Sequence, residues 1–208
     1  MRNLKLILFL MTVQISLNMV LAQENIVALK PFSELDMNYV DNTENVYIKD
    51  ITNELNKFIG LWIAEENGIS YKFKIDKNIS KEEDFDYKID VLSIDYEIKE
   101  VSSGNIIKTT LNENYSNTLQ ITGVKYEKSE LYRLFYLGDN YECGQVGDIL
   151  IKKTSANHLL LKLLPDHITI RESECPNGYI TQILPLKYLD LSRLSNSIFN
   201  TFRAPRSR

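Results

Sequence analysis

The side chains best suited to chemistry in this chain are its two histidines and two cysteines. A serine or cysteine nucleophile needs a histidine base beside it, and no Gly-x-Ser-x-Gly sequence accompanies His158 or His167. His167 alternates with Ile168 and Ile170, which predicts that it points away from the core. His158 opens a leucine-rich segment and is expected at a strand end. We therefore predict no catalytic residue and no enzymatic activity.

The residue spacing does not favour metal or cofactor chemistry. A zinc site needs three or four ligands at suitable spacing, whereas the two histidines are isolated. The sequence shows no glycine-rich phosphate loop and no Asp-x-Asp-x-Asp calcium loop. Asp139, Glu142 and Asp148 could gather around a cation near Cys143, although three acids across a loop more often form a solvated surface. We predict no metal site and no cofactor.

Cys143 and Cys175 fit a structural role better. In an oxidising compartment, a lone pair of cysteines most simply forms one disulfide. The two residues are 32 positions apart, and closing a loop of that length is worth roughly 3–4 kcal/mol on the chain-entropy scale. Two buried free thiols remain an alternative. A two-cysteine metal site is another, but nearby histidines at ligand spacing are missing.

The first residues have the pattern of a signal peptide. Arg2 and Lys5 precede an apolar stretch over 6–11, and the small-residue exit ends at Ala22. A membrane helix needs about 20 predominantly apolar residues, and four polar residues between positions 12 and 18 interrupt this one. A buried N-terminal helix is the alternative. We predict cleavage after Ala22, a periplasmic or extracellular location, and no membrane span after cleavage.

The charge balance bears on possible partners. The chain has 24 basic and 28 acidic residues and a formal net charge of −4; loss of Arg2 and Lys5 with the predicted leader takes this to −6. A mildly acidic surface argues against nucleic acid and against anionic membranes as partners. The sequence identifies no protein partner.

Alternation of polar and apolar residues predicts an all-β domain. In 69–76, Ile69, Tyr71, Phe73 and Ile75 share one face, and Asn67-Gly68 before them favours a hairpin turn. In 87–101 the alternation slips by one residue at 91–92, which predicts a β-bulge or a sharp bend. Further strands are predicted at 106–111, 119–126, 130–137, 147–153, 158–164, 167–172, 179–184 and 187–193.

Segments outside the regular alternation complete the predicted organisation. Residues 23–45 have few periodic apolar positions and are expected to form an extended arm. Asp50 is expected to cap a helix over 51–58, which carries an apolar stripe of Ile51, Leu55, Phe58 and Ile59. The predicted barrel domain spans 46–193, and the tail 194–208 is expected to be disordered at its end.

The segment 46–62, VYIKDITNELNKFIGLW, ends in Gly-x-Trp at the opening of the first predicted strand. Gly60 allows a tight turn into the strand. Trp62, the only tryptophan, is large enough to plug the closed end of a barrel.

This placement of Gly-x-Trp resembles the start of a lipocalin-type barrel. Together with the segment 183–193, the stretch 46–62 also resembles a family of small exported flavobacterial proteins of unknown function. The resemblance implies an antiparallel, up-and-down, lipocalin-like barrel of about eight to ten strands with a short N-terminal helix. In lipocalin-like folds an arginine of the last strand packs across the tryptophan. By position this implies Arg193, with Arg171 as second choice, in a contact worth about 0.5–2 kcal/mol.

The remaining signal is aromatic, because the chain has twelve tyrosines. The alternation predicts that Tyr71, Phe73, Tyr87 and Tyr96 face the barrel interior. Such a lining suits a small apolar or amphipathic ligand, and it suits a fully packed interior equally well. We therefore expect an exported, non-catalytic barrel that binds a small hydrophobic ligand. The alternative is an envelope structural or protein-interaction module with a solid core.

Overall fold

The structure is a computed structural model that describes residues 24–82, 87–111, 121–127, 130–170 and 180–194, together with residues 173, 175, 176 and 178. The predicted signal peptide, the tail beyond 194 and Arg171 lie outside these residues. Strands dominate the described part of the chain: β1 Asn25–Ala28, β2 Val46–Lys49, β3 Gly60–Glu66, β4 Ile69–Glu82, β5 Tyr87–Glu100, β6 Ile106–Thr109, β7 Ile121–Tyr126, β8 Leu131–Leu137, β9 Val146–Ser155, β10 His158–Pro165 and β11 Leu189–Arg193.

Eight of these strands close into an antiparallel barrel. Its order is β3-β4-β5-β7-β8-β9-β10-β11, and β11 returns to pair with β3. The closing contact between β5 and β7 is the pair Ser93–Thr122. Because neighbours around the barrel follow chain order apart from β6, which pairs with β5, the barrel is up-and-down. The predicted fold class is confirmed.

The N-terminal segment adds a second layer outside the barrel. Strands β1 and β2 pair in parallel, and β2 continues in parallel onto the start of β5. Between them the chain forms a 3-10 turn at Phe32–Glu34 and one α-helix, α1, over Met37–Asp41. The side chain of Val40 on α1 is buried. Residues 24–49 therefore form a folded cover that ends with β2, whereas residues 23–45 were expected to form an extended arm.

The segment before β3 forms a short 3-10 turn in place of the helix expected over 51–58. A 3-10 turn covers only Glu54–Lys57, because Asn53 adopts a left-handed conformation with φ of 61° that interrupts helical backbone. The Asp50 carboxylate accepts hydrogen bonds from the backbone N–H groups of Glu54 and Leu55, at 2.7 and 3.1 Å. The expected apolar stripe is only partly buried, since Leu55 and Phe58 are enclosed whereas Ile51 is 56% exposed.

Strand β5 has no bulge at 91–92, so the bulge is the wrong one of the two predicted alternatives, and the sharp bend stays a prediction. Its register against β4 runs without a break from the pair Tyr87–Glu82 to the pair Glu100–Ile69. The side chains of Val91 and Leu92 are both buried, on opposite faces. The apparent phase slip arises because the N-terminal layer covers the outer face of β5 while the barrel interior covers the inner face.

The described residues between β10 and β11 are not in the strands predicted at 167–172 and 179–184, of which residues 171, 172 and 179 lie outside the described residues. Residues 166–170 and 180–184 are not in strands. The predicted disulfide between Cys143 and Cys175 is present, with Cα atoms 5.5 Å apart. The Ile180 N–H donates to the Cys143 carbonyl at 3.0 Å, so the segment is tied to the turn before β9.

The barrel interior is packed with large side chains. Fully buried aromatic and aliphatic residues from all eight strands and from the turn before β3 form one hydrophobic cluster. Its largest members are Trp62, Tyr96, Tyr132, Tyr136, Phe58 and Phe73. No helix in the described residues is long and apolar enough to cross a membrane.

Candidate functional site

The four aromatic residues predicted to line an internal cavity do not come together as one site. Phe73 and Tyr96 are fully buried in the packed core. Tyr71 is half-buried and stacks on Phe73, with ring centroids 6.3 Å apart. Tyr87 lies on the opposite face of β5 from Tyr96, because an unbroken strand sends odd and even positions to opposite sides. The prediction that Tyr87 faces the interior is therefore wrong.

A groove lies instead between the N-terminal cover and the outer wall of the barrel. Its volume is about 410 Å³. The floor comes from β5, β7 and β8, and the opposite wall comes from the chain between β1 and α1 and from β2. The lining residues are mostly apolar: Leu29, Lys30, Phe32, Leu35, Met37, Ile48, Tyr87, Ile89, Val91, Thr122, Gly123, Tyr126 and Phe135. We call this feature the outer groove.

Register explains why the two walls of the outer groove are apolar. Val46 and Ile48 of β2 pair with Tyr87 and Ile89 of β5, and paired residues point to the same side of a sheet. Val27 of β1 pairs with Ile48 and extends the same face. This face would be exposed to solvent if the segment from Leu29 to α1 did not fold over it.

A buried carboxylate fastens the cover to the barrel. Asp90 of β5 accepts a hydrogen bond from the Tyr47 hydroxyl at 2.6 Å and another from the Asp50 N–H at 2.9 Å. Burial, followed by the bond to Asp90, raises the pKa of Tyr47 to about 12. Lys77 reaches the Asp50 carboxylate at 3.4 Å. One side of β2 therefore faces this polar network, whereas the other faces the groove.

Among the described lining residues of the outer groove, Lys30 alone carries a charge. Lys30 is exposed, and it has no ion-pair or hydrogen-bond partner among the described residues. The part of the lining that the structure describes contains neither aspartate nor glutamate. The described lining is an apolar slot with one cation, and Thr122, Tyr87 and Tyr126 are its other residues with polar side-chain atoms.

The sequence model of a family of unknown function (DUF6705) matches residues 1–144 of this chain. The chain belongs to that family. The match includes the N-terminal cover, every residue of the outer groove and the barrel strands through β8. The barrel is compatible with a lipocalin-like architecture, whereas membership of the lipocalins and a flavobacterial source stay predictions. No curated protein and no solved structure matches the chain.

The closed end of the DUF6705 barrel contains the Gly-x-Trp residues. Trp62 is fully buried, and its indole N–H donates to the Phe58 carbonyl at 2.7 Å. Arg193 of the last strand lies over the indole ring, 4.7 Å from its centroid. A Cβ added to Gly60, whose φ is 142°, would meet the Arg193 guanidinium at 3.6 Å. That distance is an ordinary contact, so the positive φ, more than the space beside Arg193, favours glycine at this position.

A second cation contacts the same ring. The ammonium of Lys153 is 4.2 Å from the Trp62 centroid and donates to the Ala156 carbonyl at 2.9 Å. Burial and then the charge of Arg193 lower the pKa of Lys153 to about 8. These residues fit a structural role for the closed end.

The histidines of the DUF6705 chain lie on the surface. His158 Nδ1 is 3.1 Å from Asp190 Oδ1, and both side chains are about half exposed or more. His167 is exposed and lies beside Asp166 in a shallow depression on the irregular segment after β10. No group of three or more histidine, cysteine, aspartate or glutamate side chains in the described residues is close enough to hold a metal ion.

Sequence reasoning missed the outer groove because it divided the chain at residue 46. The groove needs Leu29, Phe32, Leu35 and Met37, all of which lie in the segment expected to be an arm. One signal was available. Adjacent apolar residues within an otherwise alternating strand, as at 91–92, also occur when both faces of a strand are covered.

Proposed function

We propose that this chain is an exported, non-catalytic barrel module that binds a small apolar or amphipathic molecule in the outer groove. The observation that carries the proposal is a preformed cavity of about 410 Å³ with mostly apolar walls. Small-molecule sites are typically concave, about 300–1,000 Å³ in volume and lined by apolar side chains with a few polar groups. The packed barrel interior supports placing the ligand outside the barrel wall.

Export is supported by two independent features. The first 22 residues have the charge and hydropathy pattern of a cleavable leader. The disulfide between Cys143 and Cys175 is typical of proteins that mature in an oxidising compartment. We therefore propose that the module acts in the periplasm or outside the cell.

A groove-filling substitution tests the proposal. Ile89 is half-buried on the groove floor, whereas Ile79, on the neighbouring strand β4, is 61% exposed and does not line the groove. We expect Ile89→Trp to abolish binding of the apolar fluorescent probe 1-anilinonaphthalene-8-sulfonate and of lipids co-purified with the mature protein. Ile79→Trp, as the matched control, should retain both.

A second wall variant keeps this test informative if Ile89→Trp does not fold. Met37→Trp fills the same groove from α1, which is packed on the barrel but is not part of it. Circular dichroism establishes that each variant is folded before binding is measured. Equal probe binding by the wild-type protein and by a folded groove-filled variant would overturn the proposal.

The packed interior and one exposed hairpin favour a second candidate, an envelope interaction module. The β5–β6 hairpin exposes three large aliphatic side chains, Val101, Ile106 and Ile107, at 44%, 56% and 47%. Clustered exposed apolar residues mark interaction surfaces in soluble domains. Under this candidate, changing the three residues to serine would abolish a stable complex in cross-linking of cell envelopes. Loss of ligand binding with retention of the complex would favour the first candidate instead.

A further inference from the structure

We propose that the ligand of the outer groove is a free amphiphile with one negative charge, such as a medium-chain carboxylate, whose head group pairs with Lys30. This inference rests on the proposed function, because it names the chemical class of the ligand in the same groove. It is carried by the charge, the volume and the arrangement of the lining side chains.

The charge of the lining selects an anion. Within the described lining of the groove, Lys30 is the one charged residue, in a chain whose formal net charge is −4. It is exposed, and the described residues offer it no carboxylate partner. A ligand carboxylate could therefore pair with Lys30 without displacing an existing ion pair. A cationic head group at the same place would be repelled by the ammonium.

The volume limits the length of the chain. A water-sized group occupies about 30 Å³ in a liquid. A cavity of about 410 Å³ therefore holds on the order of a dozen such groups, which corresponds to one medium-length acyl chain. A phospholipid with two long acyl chains exceeds this volume. The groove thus favours a free single-chain molecule over a lipid that stays in a bilayer.

The arrangement of the lining residues orients the ligand. Lys30 follows Leu29, which is buried, so the cation stands at the edge of the slot while the apolar wall begins one residue before it. The chain would lie between Leu35 and Met37 on the cover and Ile89 and Val91 on the barrel. The head group would stay hydrated at the edge, where a charge-assisted hydrogen bond to the ammonium costs little desolvation.

Isothermal titration of the mature protein with dodecanoate, dodecanol and dodecyltrimethylammonium tests the inference. We expect dodecanoate to bind about three- to fivefold more tightly than dodecanol, a preference in the range of a partly exposed charge pair. Dodecyltrimethylammonium should bind more weakly than dodecanol. Lys30→Met should reduce the preference for dodecanoate over dodecanol to less than about twofold.

Lys152→Met is the matched control, because Lys152 is exposed on β9 and does not line the groove. It removes the same charge from the protein, so it should keep the full preference for dodecanoate. An equal loss of preference in Lys152→Met and Lys30→Met would overturn the role of Lys30 and indicate general charge effects.

The remaining outcomes separate this inference from the proposed function. Equal binding of dodecanoate and dodecanol would overturn the choice of an anion and leave a ligand-binding groove. Binding to dioleoylphosphatidylglycerol vesicles without binding of free dodecanoate would overturn the inference that the ligand is a free amphiphile. If none of the three amphiphiles binds, and Ile89→Trp also leaves 1-anilinonaphthalene-8-sulfonate binding unchanged, both the inference and the proposed function fail.

Discussion

At the scale of single residues, the closed end of the barrel depends on how Arg193 is placed. Its Nη2 group donates to the carbonyls of Lys57 and Ile59, at 3.2 and 2.8 Å, while its guanidinium carbon lies over Trp62. A planar guanidinium can stack its face on the indole while its edge donates to the carbonyls, whereas a compact ammonium has no face to stack. We expect Arg193→Lys to lower the free energy of unfolding by about 1–2 kcal/mol in urea titrations.

A second arginine provides the comparison for Arg193→Lys. Arg133 pairs with Glu127 and Asp148 on the outer surface and is partly exposed. Lysine can satisfy such surface carboxylates as a point charge, so Arg133→Lys should cost less than about 0.5 kcal/mol. Equal losses from the two variants would contradict a special role for the contact with the tryptophan.

Lys153 makes the free energy of unfolding depend on pH. Its pKa is lowered to about 8 by burial and by Arg193, from an ordinary value of 10.5. Between these two values the unfolded chain holds more protons at this site than the folded chain, so the contribution of Lys153 to stability rises with pH. We expect the unfolding free energy of the wild-type protein, minus that of Lys153→Met, to increase from pH 8 to pH 10.5.

Subtracting the unfolding free energy of Lys153→Met removes the contributions of other groups that titrate in alkali. Tyr47, whose pKa is raised to about 12, has the opposite effect, because its contribution is lost as the pH rises above 10. It is present in both proteins and cancels in the difference. A difference that stays flat across this range would show that the Lys153 pKa is not lowered in the folded state.

Among the candidate site residues, the sequence was most informative where a residue type was rare. One tryptophan and two cysteines each leave few possible roles, so Trp62, Cys143 and Cys175 could be placed before the fold was known. Tyrosines are common and tolerate both core and surface positions. The side to which Tyr87 points depends on strand register over many residues, which its own neighbourhood does not encode.

At the scale of elements, the buried carboxylate of Asp90 controls attachment of the N-terminal cover. It accepts one bond from Tyr47 and one from the Asp50 backbone. Asp90→Asn replaces one acceptor oxygen with an amide that cannot accept, which leaves one buried donor unpaired at a cost of about 1–3 kcal/mol. We expect hydrogen exchange of β1 and β2 amides to accelerate by about 5- to 100-fold, because this layer can open locally.

The barrel provides the internal control for this experiment. Amides of β9 and β10, which are paired on the far side of the barrel, should retain their protection in Asp90→Asn. Asp190→Asn, which alters an exposed aspartate on β11, should leave both regions unchanged. If hydrogen exchange accelerated equally in the barrel strands, the Asp90 carboxylate would not act on the cover alone.

Elements with regular alternation were predicted well, and elements defined by backbone conformation or by burial on both faces were not. Hairpin β3–β4 follows from Asn67-Gly68, both of which have positive φ. The helix expected over 51–58 is cut short because Asn53 takes the left-handed conformation that asparagine tolerates better than most residues. The bulge expected at 91–92 assumed that β5 has one solvent face.

At the scale of the whole molecule, the barrel closes between β5 and β7. In the residues that the structure describes, these strands share the pair Ser93–Thr122, while β2 and β6 pair with the two ends of β5. Tyr132 of β8 reaches into this seam, and its hydroxyl accepts a hydrogen bond from the Leu92 N–H at 3.2 Å. A side chain thus takes the place of a missing ladder partner.

Gly123 allows the Tyr132 hydroxyl to reach the Leu92 N–H. A Cβ at position 123 would overlap the Tyr132 hydroxyl and would lie 3.0 Å from the Leu92 carbonyl oxygen. Glycine therefore leaves the space that the hydroxyl fills. Seam closure could not be predicted from the alternation of β5, β7 or β8, because it depends on three residues from different strands.

Tyr132→Phe tests whether the hydroxyl closes the barrel. We expect the free energy of unfolding to fall by about 1–3 kcal/mol, because the buried Leu92 N–H loses its acceptor. Tyr39→Phe, on the exposed face of α1, should change it by less than about 0.5 kcal/mol. Gly123→Ala should be more destabilising in the wild-type background than in Tyr132→Phe, because the variant lacks the atom that the new methyl group overlaps. Additive effects of the two substitutions in a double-mutant cycle would show that the seam does not depend on their contact.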